Sequence, residues 1–231
     1  MNSSRLMNHM NTACDWLIKL FYLNLLWILF TLAGLVIAGI FPATVALFTV
    51  LKSFQTGESV RAFNEFWDVY KKEFWRTNRL GIVLTILPII FYTDWLFTNQ
   101  FSGTWAMTGK GILLGCFFLY VITLLYVFPV FIEAERKVFP TIKIAFLIGI
   151  TYPVHTFMTL ICITSLLLTF AFLPMAGFLF LASGLACIQS FFSLRLFKKI
   201  EAQAVNMHKH NTKIAGYYQT VIREKNPLLK G

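Results

Sequence analysis

The sequence predicts an all-α, polytopic membrane helix bundle, with about five transmembrane helices and additional interfacial amphipathic helices. Three observations carry this reading. Five apolar runs lie at about 20–41, 80–97, 111–132, 153–173 and 175–194. Each is about 20 residues long, which as a helix crosses a hydrocarbon core of about 30 Å. Hydrophobic residues make up 58% of the 231-residue chain, more than one soluble domain of this size can bury. The third observation is the placement of the basic residues.

Charged residues are 13% of the chain and fall between the apolar runs. With an odd number of spans, segments 42–79, 133–152 and 195–231 share one side and hold six, three and eight Lys/Arg. The other side holds only Arg5, Lys19 and Lys110. The positive-inside rule then places the N-terminus outside and the C-terminus in the cytoplasm. It also explains the net charge of +10 without a nucleic-acid partner. We expect one integral membrane domain over 1–207 and a basic cytoplasmic tail over 208–231.

Residues 1–19 are polar, then mildly amphipathic, with Trp16 where an interfacial anchor would sit. The first run is too long for a signal-peptide core and lacks a small-residue cleavage site, so it reads as a retained span. It closes at Phe41-Pro42. Proline suits the first turn of a new helix, where its missing N–H would be unpaired anyway. Residues 43–54 are apolar but too short to cross, as are 141–151. Each is expected at the inner interface or tucked against the bundle.

An interfacial helix is expected over 58–79. From Phe63, residues Phe66, Trp67, Tyr70 and Phe74 recur at helical spacing and fall within an arc of about 100°. Arg61, Glu65, Asp68, Lys72 and Arg76 take the opposite side. These five aromatics are the candidate lipid or partner contact, and packing on the bundle as ordinary core is the competing reading.

Pro88 marks a kink in the second span, and Asp94 lies near that span's outer end. The third span opens with Gly111-x-x-x-Gly115 and ends at Phe128-Pro129. The polar run Glu133 to Lys137 follows. Pro174 makes a tight turn between the last two spans, which are therefore antiparallel neighbours. A span, a Phe-Pro, a short apolar segment and a second span occur twice, a faint parallel repeat.

Ionisable groups inside a membrane flag pumps and ion-coupled carriers. None falls near a midplane here. Asn24, Asp94 and His155 are the candidate intramembrane polar contacts, with Asn24 better suited to gluing helices than to a ligand. Cys116, Cys162 and Cys187 lie in spans without metal-ligand spacing, and Cys14 stands alone. His208-x-His210 and Met7-x-His9-Met10 are too sparse for a metal site. No catalytic set assembles, so no cofactor and no enzymatic activity is expected.

Asn24-Leu-Leu-Trp27 through Gly34, then Gly39-Ile-Phe41-Pro42-Ala-Thr44-Val-Ala46-Leu-Phe48, resembles the YesL-like family of bacterial integral membrane proteins. So do Phe66-Trp67-x-x-Tyr70-Lys-Lys-Glu-Phe74 and Asn78-Arg-Leu-Gly81. The resemblance implies a bacterial plasma-membrane setting and, by association, a link to carbohydrate uptake. It supplies no site residues. The expected function is that of a non-enzymatic accessory or regulator of carbohydrate uptake. The alternative is a small oligomeric transporter or channel for a sugar or other small solute. Expected partners are the lipid bilayer, sugar-transporter subunits and further copies of the chain.

Overall fold

The computed structural model describes residues 3–101, 103–133 and 138–225. Glu135, Arg136, Lys137 and the last part of the basic tail lie outside the described residues, as do the side chains of His9, His208 and His210. Among the described residues the chain is helical: α1 (Ser3–Ala33), α2 (Ile40–Thr56), α3 (Ala62–Thr98), α4 (Thr104–Glu133), α5 (Val138–Thr151), α6 (Pro153–Phe172) and α7 (Pro174–Lys225). Five stretches are long and apolar enough to cross a membrane: Met10–Ala33, Ala62–Thr98, Met107–Glu133, Pro153–Phe172 and Pro174–Gln203. The chain divides into two units, Met1–Phe192 and Ser193–Gly231.

The first span stops eight residues before the expected Phe41. The break lies at Gly34–Gly39, where Leu35 and Val36 take left-handed φ values of 56° and 64°. Such angles are costly for bulky or β-branched residues. They persist because two glycines let the backbone close on itself: a Cβ on Gly34 would overlap the Gly39 Cα and the Tyr70 hydroxyl. Val36 N–H reaches back to Thr31 O at 2.9 Å. Pro42 then sits in the first turn of α2, where proline is tolerated.

α1 and α2 form an antiparallel hairpin. Its open end pairs Lys19 with Phe54, the ammonium 5.0 Å from the ring centroid. Its middle is tied by Trp27 Nε1–H to Thr44 Oγ1 at 3.1 Å, and the glycine turn is its tip. The short arm α2, 17 residues long, measures about 25 Å, less than a full crossing. Leu35 and Ile37 at the tip are each 85% exposed, an apolar end suited to lipid. α5 likewise folds back along α4, with Gly149 against Ile122 and Tyr126. The repeat stops there: α3 turns back along α2, whereas α6 begins beside the end of α5 with Thr156 Oγ1–H on Gly149 O at 2.9 Å.

The helix expected over 58–79 and the span expected over 80–97 are one continuous helix, α3, of 37 residues. No glycine or proline interrupts it before Gly81, so nothing in the chain separates the amphipathic half from the apolar half. α3 runs antiparallel to α2, from Ser53 Oγ–H on Glu65 Oε1 at 2.7 Å to Phe41, whose ring covers Gly81. The third span likewise continues through Pro129 to Glu133. The last helix continues to Lys225; beyond Pro174 it holds no proline before Pro227.

The core of the first unit is the face shared by α1, α2 and the start of α3. Leu23, Leu26 and Phe30 meet Ala43, Ala46, Leu47, Phe48, Val50 and Leu51, with Phe66 and Tyr70 closing the cluster. Several buried hydroxyls are met by their own helices, as where Thr77 bonds Glu73 O at 2.9 Å, and so cost little; Thr31 Oγ1 is buried without a partner among the described residues.

Candidate functional site

The amphipathic half of α3 carries two aromatic faces. The inward one grips the end of α1. The Phe30 ring lies 4.9 Å from Phe66, 5.1 Å from Tyr70, 5.5 Å from Trp67 and 6.1 Å from Phe63. Tyr70 O–H donates to Phe30 O at 3.1 Å, a carbonyl in the last turn of α1 that also accepts from Gly34 N–H at 3.1 Å. Phe66 is fully buried and Tyr70 nearly so, while Phe74 is half-buried beside Tyr70 at 5.6 Å. Of the five aromatics read from the sequence, these three belong to the core.

The outward face is a row at four-residue intervals: Phe63, Trp67, Lys71, Trp75 and Arg79. Residues so spaced form one ridge on a helix. Phe63 is 50% exposed, Trp67 38% and Trp75 77%. The Lys71 ammonium stands 3.9 Å from the Trp67 ring centroid, and Arg79 Nε–H turns back to Trp75 O at 3.4 Å. Rings that present apolar bodies and polar N–H edges, alternating with cations, suit a headgroup region or an amphipathic partner. The sequence reading missed Trp75, Lys71 and Arg79. The signal was available as a period of four, which an arc centred on Phe66 and Tyr70 conceals.

Two amides clamp α7. Asn24, buried, donates through Nδ2 to Phe178 O at 3.0 Å. Its Oδ1 accepts from Ala182 N–H at 3.2 Å and Ser183 N–H at 3.3 Å. Gln55, which the sequence reading passed over, donates to Cys187 O at 3.4 Å and accepts from Ser190 Oγ–H at 2.9 Å. Neither of the other two candidate polar residues joins Asn24. Asp94 is exposed near the end of α3. His155 lies edge-on to Tyr152 at the start of α6, its buried Nδ1 without a partner among the described residues.

Charged groups gather instead where α2, α3 and α4 meet. Lys52 pairs with Glu133 at 2.8 Å, and Glu73 with Arg76 at 3.0 Å. The Arg76 guanidinium lies 4.2 Å from the Phe131 ring centroid. Glu73, Arg76, Phe131 and Glu133, with Thr49 and Lys72, line a cavity of about 200 Å³. Among the described residues no three His, Cys, Asp or Glu side chains are grouped as metal ligands.

Residues 20–95, which hold the glycine turn, both aromatic faces and Asn24, match the family model "Protein of unknown function, DUF624". Three uncharacterised proteins of Bacillus subtilis (strain 168) are similar over longer stretches. YteU is 35% identical over 162 residues, covering 70% of this chain and 72% of its own. YesL is 35% identical over 151 residues, covering 64% and 70%. YesV is 34% identical over 195 residues, covering 83% and 92%. No solved structure matches the chain. The chain belongs to the DUF624 family, with YesL, YteU and YesV among its relatives.

Proposed function

We propose that this chain is a non-enzymatic accessory protein of the bacterial plasma membrane that assists or regulates a carbohydrate transporter. The observation that carries the reading is the exposed ridge of Phe63, Trp67, Lys71, Trp75 and Arg79. Phe63 and Trp67 touch Phe30 of the core yet stay well exposed, Trp75 is 77% exposed, and the row mixes aromatic anchors with cations as contact surfaces do. The carbohydrate setting rests on the resemblance to YesL-like proteins. Deleting the chain during growth on the relevant sugars should lower uptake or transporter level. Unchanged uptake and unchanged transporter level would end this reading.

The basic-residue count supports a cytoplasmic side for the α2–α3 turn and the C-terminus. The same count leads to an outside N-terminus, and here one contact runs against it. Lys19, counted outside, touches Phe54, counted inside. The hairpin of α1 and α2 brings Lys19 and Phe54 together, which favours a shared side for the start of α1 and the α2–α3 turn.

The second reading, a small oligomeric transporter, is favoured by the charged cavity at the α2–α3–α4 junction. At about 200 Å³ it is smaller than the roughly 300–1,000 Å³ usual for ligand clefts. Flux of a sugar into proteoliposomes holding only this chain would favour it over the accessory reading.

A further inference from the structure

α5 carries a single charge, Lys143, within fourteen otherwise uncharged residues. Its side chain is exposed and makes no ion pair among the described residues. It stands on a groove of about 480 Å³ between three helices. The walls are Leu84 and Leu87 of α3, Leu119 and Tyr120 of α4, and Phe139 and Phe146 of α5. That volume is within the range of small-molecule sites.

The polar atoms of the walls are already used. Tyr120 O–H donates to Leu84 O at 2.8 Å, and Thr123 Oγ1–H to Leu119 O at 2.9 Å. Among the described residues an occupant therefore meets hydrocarbon, the Cys116 thiol and one ammonium. A charge beside apolar walls is costly unless an anion pairs with it. The matching occupant has a long apolar body and an anionic end.

We infer that this groove is a site for an anionic phospholipid, one acyl chain lying between α3, α4 and α5 and the phosphate paired with Lys143. Tyr120 and Thr123 stay bonded to their own helices, so headgroup selection falls to Lys143. The site lies apart from the ridge on α3 and does not depend on what the ridge contacts.

Cys116 lines the same groove and is exposed, which gives a reporter in place. The full chain carrying Cys14→Ser, Cys162→Ser and Cys187→Ser, labelled with bimane at Cys116, is reconstituted in phosphatidylcholine vesicles. A small mole fraction of brominated-chain phosphatidylglycerol should quench bimane several-fold more than the same fraction of brominated phosphatidylcholine. Lys143→Gln should abolish that excess, Lys143→Arg should keep it, and Lys110→Gln, outside the groove, should leave it unchanged. Equal quenching by the two lipids overturns the inference, and so does an excess that survives Lys143→Gln. Quenching that falls as protein density rises, in favour of bimane self-contact, would give the groove to a second copy of the chain and also overturn it.

Discussion

The side-chain amide of Asn24 on α1 donates to the main-chain carbonyl of Phe178 on α7 at 3.0 Å. Its oxygen accepts from the amides of Ala182 and Ser183, four and five residues further along. Asn24 thus behaves like a peptide unit inserted beside the ladder of another helix. In an apolar setting, interhelical side-chain bonds average about 0.6 kcal/mol and reach about 1.7 kcal/mol each. Asn24→Leu should therefore lower the unfolding midpoint in mild detergent, measured by thermal denaturation, while the chain still inserts. Asn24→Asp should be worse than Leu, because a carboxylate cannot donate to Phe178 O and brings a buried charge. Equal stability of the Asp variant and the original would remove the clamp from the account.

Tyr70 should show two separable contributions. Tyr70→Phe loses only the bond to Phe30 O and should cost about 0.5–1.5 kcal/mol. Gly34→Ala places a methyl against both Gly39 and the Tyr70 hydroxyl, and should cost more. Combining the two removes one of the collisions, so the double variant should be more stable than the sum of the singles requires. A denaturation cycle with strictly additive costs would mean that the glycine turn and Tyr70 do not touch.

The two aromatic faces of α3 should part under mutation. Phe66→Ala empties a fully buried position and should cost about 3–5 kcal/mol. Changing Trp75, the most exposed ring of the ridge, to Ser should leave the unfolding midpoint within a few degrees of the original, whereas Phe63 and Trp67 also touch Phe30. Detergent denaturation of the two variants side by side checks this. A ridge variant as damaged as Phe66→Ala would place the ridge in the core.

Native Cys14 and a cysteine introduced at Lys71 report on the first hairpin. The contact of Lys19 with Phe54 leads us to expect that a membrane-impermeant maleimide reaches both from the same side. Labelling from opposite sides would restore the outside N-terminus that basic-residue counting alone supports.

The bundle and its long helices were legible because apolar length and the absence of charge are local properties of the chain. Asn24 was legible as glue for the same reason: an amide in a span must find a partner. The hairpin of α1 and α2 was not, since it depends on Gly34 meeting Gly39 and on left-handed angles at Leu35 and Val36. Leu and Val do not advertise such angles. Gln55 was passed over because it looks like the polar end of a short helix until α7 is laid against it. Periodicity found the aromatic side of α3 but could not tell Phe66, which Phe30 covers, from Trp75, which is 77% exposed and touches only the edge of the core through Phe74.

The ridge on α3 is the centre of the account, and cross-linking in native membranes tests it most directly. A photo-activated residue is placed at position 75 and, as a buried control, at position 66, and adducts are identified by mass spectrometry. We expect position 75 to capture subunits of a sugar permease in defined ratio and position 66 to capture only this chain. Adducts at position 75 confined to this chain or to lipid would contradict the accessory reading and favour a self-contained transporter.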